Sequence, residues 1–168
     1  LVVLHNSGVY FDQIHENVDV EILGIKRVRH SLLALIRYLN KVPPGAIFST
    51  THRMNMFVAL AVKISRRKYT LFLRLPNSPA LENRFGELGC VKKFFLKQAY
   101  RSADVVISQT EEMKSETVDM FHVSPERIRV LINPIDRITI DKNLECESSP
   151  YQGEGPHFLS AGRLHHQK

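Results

Sequence analysis

An arginine and a lysine near the carboxyl terminus have residue types and a placement that suit phosphate binding. Arg163 follows Gly162, and Lys168 belongs to the same loop. The apolar run at 157–161 that precedes them is typical of a buried strand. Arginine offers a planar fork for bidentate bonding to phosphate oxygens, and lysine adds a mobile positive charge. We therefore predict that Arg163 and Lys168 bind a phosphate or diphosphate just beyond a strand end.

Small polar clusters also follow several apolar runs earlier in the chain. The candidates for a ligand-binding edge are Thr51, His52, Arg53, Asn77, Ser78, Ser108 and Asn133. Ligands of open α/β sheets bind beyond the carboxyl ends of the strands, so these groups could line a site for a polyhydroxy ligand such as a sugar. Strand ends and helix caps are polar throughout this class of protein, however, and any single cluster also fits that simpler explanation.

Strands and helices alternate along most of the chain. Apolar runs predict strands at 1–4, 18–23, 46–48, 69–75, 104–107 and 129–132. Helices are predicted from Ser31, over about 54–65 and 86–102, and from Ser108, which has the capping-box spacing to Glu111. This order predicts an α/β fold with one Rossmann-like parallel sheet of about five or six strands and helices on both faces.

The predicted helix at 86–102 combines an apolar stripe with a basic face. The stripe consists of Leu88, Val91, Phe95, Ala99 and Ala103. The basic residues are Lys92, Lys93, Lys97 and Arg101, beside Phe94 and Phe95. Such a helix could bind an anionic lipid surface, and it equally fits a helix that covers a sheet with its charges in solvent. The second interpretation is favoured, and peripheral membrane association stays open.

Composition places the chain among ordinary globular proteins. Its 168 residues are 43% hydrophobic, which is enough for one full-sized core. The net charge of +6 is spread along the chain without interleaved aromatics, so we predict no nucleic-acid partner. His157, His165 and His166 have no carboxylate at ligand spacing, so we predict no metal site. The widely separated Cys90 and Cys146 fit a reducing compartment.

Residues 137–156 differ from what precedes them. They are polar, aperiodic and rich in glycine and proline towards their end, which predicts a linker or surface loop. The predicted organisation is thus a first domain at 1–136, a linker at 137–156, and the first strand and phosphate-binding loop of a second domain at 157–168.

Three segments resemble group 1, or family 4, glycosyltransferases. Residues 99–108, AYRSADVVIS, resemble a "y..AD.vi..S" pattern, and residues 127–136, RIRVLINPID, resemble "ki.vi.NP.D". Residues 158–168, FLSAGRLHHQK, resemble "f...GRL..qK". The segments occur in the family's order and spacing. One departure is that many relatives have a functional histidine after the strand at 69–75, where this chain has Pro76 and Asn77.

The resemblance implies the N-terminal, acceptor-side half of a truncated GT-B fold. It further implies a retaining, metal-independent transfer of sugar from a nucleotide diphosphate sugar to a glycan or lipid-linked acceptor, without another cofactor. Arg163 and Lys168 would bind the donor diphosphate, whereas the catalytic residues stay unassigned.

The family setting is cytoplasmic, at or near the inner membrane face, in surface polysaccharide, lipopolysaccharide or glycoconjugate assembly. We expect the isolated chain to be inactive, because the resemblance implies that most of the donor-side domain is missing from it. The alternative function is that of a non-catalytic Rossmann-like binding or regulatory domain.

Overall fold

A computed structural model describes residues 1–6, 8, 11–86 and 89–146, without the side chains of 139 and 143–146. The strands are β1 (Val2–Val3), β2 (Glu21–Ile22), β3 (Ala46–Ser49), β4 (Thr70–Arg74), β5 (Val105–Ser108) and β6 (Ile128–Val130). The helices are α1 (Leu32–Lys41), α2 (His52–Ile64), α3 (Pro79–Arg84), α4 (Cys90–Ser102), α5 (Glu111–Phe121) and α6 (Arg137–Cys146). Short 3₁₀ helices span Phe11–Gln13, Val28–His30 and Pro125–Arg127. The chain divides into two compact units, Leu1–Leu131 and Ile132–Lys168.

The strand pairs of the described residues are all parallel. β1 pairs with β2, while β3, β4, β5 and β6 form a second sheet in that order. Parallel strands joined by helices confirm the predicted α/β, Rossmann-like class. The sequence predicts a single sheet. The structure instead has two sheets, since among the described residues β1 and β2 pair only with each other.

The core of the first unit lies between the four-stranded sheet and its helices. Leu73 of β4, Val106 of β5 and Ile128 of β6 are almost completely buried, and so are Tyr100 of α4 and Phe121 of α5. The Tyr100 and Phe121 rings pack with their centroids 5.1 Å apart. Burial of this kind removes apolar surface from water, which is the main favourable contribution to folding. The packed helices hold the carboxyl ends of β3, β4 and β5 in fixed positions.

Helix α5 begins two residues later than the capping-box pattern predicts. Ser108 is the last residue of β5, and its carbonyl oxygen accepts a hydrogen bond from the backbone of Leu131. It therefore belongs to the sheet and is not the residue that caps the helix. Thr110 caps α5 instead, since its hydroxyl accepts from the backbone N–H of Met113 at 3.2 Å.

The single helix predicted near 86–102 is preceded by a separate short helix. Ser78 caps α3 by accepting from the backbone N–H of Leu81, and Pro79 occupies the first helical turn, where it loses no hydrogen bond. Gly86 lies just beyond α3 at φ +72°, a left-handed conformation that glycine adopts without a Cβ clash. Helix α4 then begins at Cys90 after Gly89.

The apolar stripe predicted for α4 was wrong at two positions. Ala99 and Ala103 are buried as expected, but Val91 and Phe95 are 71% and 53% exposed. Leu88 lies outside the described residues. The buried face instead runs through Leu96, Ala99, Tyr100 and Ala103. These residues share one face because side chains three or four positions apart lie on the same side of an α-helix. Val91, Phe94 and Phe95 form a second apolar face in solvent.

Helix α6 lies where the sequence predicts an irregular linker. Its ten residues contain neither glycine nor proline, and the glycines and prolines that suggested a loop all come after Cys146. Without these residues, nothing in the local chemistry prevents a helix. The rest of the predicted linker and the predicted strand at 157–161 lie outside the described residues.

Candidate functional site at the carboxyl ends of the strands

The candidate residues that follow β3, β4 and β5 share one edge of the four-stranded sheet, because these neighbouring strands are parallel. Thr51 caps α2 and is exposed, as is Arg53 in the first turn of that helix. Asn77 is exposed after β4, and Ser78 is half-buried at the start of α3. Hydroxyl, guanidinium and amide groups therefore lie along this edge, and groups of these types can donate to or accept from sugar hydroxyls.

Two other candidates, His52 and Ser108, do not lie open at this edge. His52 and Ser108 are buried, and the Ser108 hydroxyl has no hydrogen-bond partner among the described residues. Asn133 is exposed and belongs to the second compact unit. Arg163 and Lys168 lie outside the described residues. The edge described by the structure is thus formed by Thr51, Arg53, Asn77 and Ser78.

His52 forms a buried hydrogen-bond network behind this edge. Its Nδ1 lies 2.7 Å from the Tyr100 hydroxyl. The oxygen of that hydroxyl accepts a hydrogen bond from the Asn55 amide at 3.1 Å. The Asn55 amide nitrogen donates in addition to the carbonyl oxygen of Arg74 at 2.9 Å. Because Asn55 already donates to the Tyr100 oxygen, the hydroxyl proton can be donated to Nδ1 of His52. In the neutral imidazole, the ring proton then lies on Nε2.

The other side of the imidazole faces Glu82 of α3. Nε2 of His52 lies 3.1 Å from Oε1 of Glu82, although the contact is not aligned as a regular hydrogen bond. Oε1 also accepts from the Asn77 amide at 3.1 Å, and Lys92 of α4 lies 3.6 Å from Oε2. Glu82 is 3% exposed, so its charge depends on these partners.

The electrostatics of the network favour an ionised Glu82 and a protonated Tyr100. Burial alone raises the pKa of Glu82, but the close contact with His52, together with Asn77 and Lys92, brings that pKa below its ordinary value of 4.5. Burial raises the pKa of Tyr100 above its ordinary range, and the Glu82 charge acts in the same direction while Asn55 opposes it. The Tyr100 hydroxyl therefore stays a hydrogen-bond donor.

Three members of this network, Asn55, Glu82 and Tyr100, are not among the site residues predicted from the sequence. Asn55 offered one signal, because it is a polar residue close to the apolar positions 54, 57, 58 and 61 of the predicted second helix. Glu82 could not be identified, since α3 itself was not predicted. Tyr100 matches the first position of the "y..AD.vi..S" pattern, which is a signal in the sequence, but it lies on the core-facing side of α4, where its ring alone would account for its presence.

A separate groove lies elsewhere, between α2 and α4. It has a volume of about 760 Å³ and is lined mainly by Met56, Phe57, Leu60, Phe94 and Phe95, with Lys63 and Arg101 among the remaining lining residues. Lys93 and Lys97 line a second hollow, and Phe94 lines both this hollow and the groove. This surface is apolar with basic residues around it, unlike the polar edge of the sheet.

The described residues contain no group of three or more His, Cys, Asp or Glu side chains close enough to hold a metal ion. Within the same residues, no helix has both the length and the apolar character needed to cross a membrane.

A parallel α/β sheet with polar groups beyond its carboxyl ends defines a Rossmann-like, ligand-binding class of protein. Residues 2–137 match Glycosyltransferase Family 4. Because this match covers most of the chain, the protein belongs to that family. No curated protein matches the chain.

Proposed function

We propose that this chain forms the acceptor-side domain of a retaining glycosyltransferase. The enzyme would move a sugar from a nucleotide diphosphate sugar to a glycan or lipid-linked hydroxyl, in cell-surface polysaccharide or glycoconjugate assembly at the cytoplasmic side. The observation that supports this best is the edge formed by Thr51, Arg53, Asn77 and Ser78 in a chain of family 4. Its groups suit an acceptor that is rich in hydroxyls.

In this proposal the two substrates are bound by different parts of the protein. The exposed Asn77 amide and Arg53 guanidinium would orient the acceptor hydroxyl. Arg163 and Lys168 would bind the donor diphosphate, which gathers negative charge as the glycosidic bond breaks. The proposed reaction follows the family resemblance in needing no metal and no cofactor beyond the donor itself.

A transfer assay tests the proposal against a purely binding or regulatory function. The longest natural protein that contains this chain should transfer label from one member of a nucleotide sugar panel to glycan or lipid-linked acceptors. Residues 1–168 alone should give only background, because no closed, water-excluding cleft is expected without a complete donor side. Label transfer by neither protein would support a binding or regulatory domain, and transfer by residues 1–168 alone would contradict the assigned domain organisation.

We also propose that the groove between α2 and α4 binds an anionic lipid surface. Phe94 and Phe95 are 57% and 53% exposed. Their rings pack edge to face, with the ring centroids 5.6 Å apart. Lys63 and Arg101 lie in the same groove, with Lys93 and Lys97 beside it. The apolar rings would insert at the acyl boundary of one leaflet, and the basic residues around them would contact its anionic headgroups. Each such cation contributes about 1 kcal/mol to the free energy of membrane binding.

Replacing both Phe94 and Phe95 with serine should weaken co-sedimentation with phosphatidylglycerol-containing vesicles at least tenfold, because each inserted ring contributes roughly 1.5–3 kcal/mol when fully buried. Phe48→Ser is the matched control, since Phe48 is 56% exposed on β3 and away from the groove. Wild-type protein should bind pure phosphatidylcholine poorly. Equal binding by the double variant and the wild type, or indifference to the anionic lipid, would refute this proposal.

A further inference from the structure

The turn after β4, residues 75–78, is held by polar contacts from α3, from α5 and from the loop before α5. Glu82 of α3 accepts from the Asn77 amide at 3.1 Å. The Gln109 side chain, just before α5, donates to the carbonyl oxygens of Leu75 at 3.1 Å and Pro76 at 2.9 Å.

From α5, Glu116 accepts from the Ser78 hydroxyl at 2.7 Å and from the backbone N–H of Ala80 at 3.2 Å. Side chains therefore fix this turn from both sides.

The orientation of Asn77 depends on residues that lie farther from the surface. Oε1 of Glu82 is shared between Asn77 and Nε2 of His52, so a movement of the imidazole changes the acceptor that holds the amide. The imidazole is in turn held by the Tyr100 hydroxyl, and Tyr100 is completely buried. An uninterrupted series of contacts thus runs from the core of the unit to an exposed amide at the candidate edge.

We propose that Tyr100, His52 and Glu82 are positioning residues for the acceptor. They would set the orientation of the Asn77 amide, which contacts the acceptor hydroxyls, without touching the substrate themselves. This inference rests on the acceptor-side function proposed above. Its physical reason is that a binding group must be held to within about 0.5 Å of its productive position, and such precision needs supporting hydrogen bonds.

The buried charge of Glu82 supports this role over a purely stabilising one. A buried ion pair contributes little net stability compared with a well-packed apolar alternative, since its desolvation cost is large. Apolar side chains would fill the same space without that cost, but they could not orient an amide. The free-energy cost of burying Glu82, His52 and Asn55 together therefore favours a role in orienting the Asn77 amide over a role in stability.

The test uses Tyr100→Phe, which removes the hydroxyl and keeps the ring that packs on Phe121. In the active enzyme that contains this chain, the acceptor KM should rise about threefold to tenfold, the effect of one lost hydrogen bond, while the donor KM stays unchanged. Tyr69→Phe is the matched control, because its hydroxyl also donates to backbone carbonyls, those of Leu39 and Val42, but away from this edge. Tyr69→Phe should leave the acceptor KM unchanged.

A double-mutant cycle with Asn77→Ala separates this inference from the proposed function. Asn77→Ala should itself raise the acceptor KM, and Tyr100→Phe should add nothing in that background, because the two act through one group. If Asn77→Ala has no effect on the acceptor KM, the acceptor edge is wrongly assigned. If Asn77→Ala has an effect and Tyr100→Phe has none, or the two effects add, the positioning inference is wrong.

Nuclear magnetic resonance gives a readout that does not need turnover. The side-chain amide signals of Asn77, assigned in residues 1–168, should shift in Tyr100→Phe and stay in place in Tyr69→Phe. Unchanged Asn77 signals in a folded Tyr100→Phe variant would overturn the inference.

Discussion

Replacing Phe121 with alanine lowers the free energy of unfolding by about 3–5 kcal/mol, the usual cost of emptying a large aromatic site in a core. Phe121 is completely buried at the end of α5, and its ring packs against Tyr100. The substitution removes both apolar burial and this ring contact, and the surrounding helices and strands cannot collapse fully into the space. Urea denaturation of the purified chain, followed by circular dichroism, measures the loss.

Phe94→Ala is the matched control, because it is the same change on a helix at a side chain that is 57% exposed. We expect it to change stability by less than about 0.5 kcal/mol, as surface substitutions usually do. Similar losses for the two variants would contradict the core described here. The same pair also separates the two apolar faces of the molecule, since only Phe94 belongs to the proposed lipid-binding groove.

Replacing Arg163 with alanine in the active enzyme should lower kcat/KM for the donor by about 2–4 kcal/mol, which is the cost typical of losing one preorganised electrostatic contact. If Arg163 binds the departing diphosphate, it contributes more in the transition state than in the ground state. Arg163→Lys should restore little, because a point charge lacks the bidentate fork. Lys168→Ala should have a similar but smaller effect. Kinetics with donor varied at saturating acceptor measure all three.

Arg37→Ala serves as the control for charge alone, since Arg37 is exposed on α1 and far along the chain from the donor loop. Its donor kinetics should equal those of the wild type. Wild-type donor kinetics in Arg163→Ala and Lys168→Ala would show that both residues are ordinary surface charges. The donor-binding part of the proposed function would then be wrong.

Local patterns were sufficient to predict the class of fold. β3, β4, β5 and β6 are short apolar runs between helical patterns, and their type and order follow directly from hydrophobic periodicity. Boundaries were less accurate because they depend on competing hydrogen bonds. Ser108 has the spacing of a cap, but its backbone is already paired with β6 and the residue that follows it. A sequence pattern alone does not reveal that competition.

The open edge of the candidate site was predicted better than the network behind it. Thr51, Arg53 and Asn77 lie two to four residues beyond the ends of β3 and β4, so the rule that parallel strands end at one edge is enough to group them. His52 and Glu82 meet only because α2 and α3 pack at particular angles, and that geometry is set by the whole core. The two apolar faces of α4 show the same limitation, since periodicity alone does not tell which face is covered.

The uniformly parallel pairing of the strands has a consequence for how the chain reaches its native state. Ala46 pairs with Thr70, Phe72 with Val105, and Val106 with Ile128, so each ladder of the four-stranded sheet joins residues that at least one helix separates along the chain. None of these three ladders can start from a tight hairpin, and each must wait until the intervening helices bring its ends together. Such long-range closure makes folding slow relative to helical proteins and prolongs the exposure of unpaired strands. We expect low temperature and low protein concentration during refolding to improve the yield of native chain, because both reduce encounters between these unpaired strands.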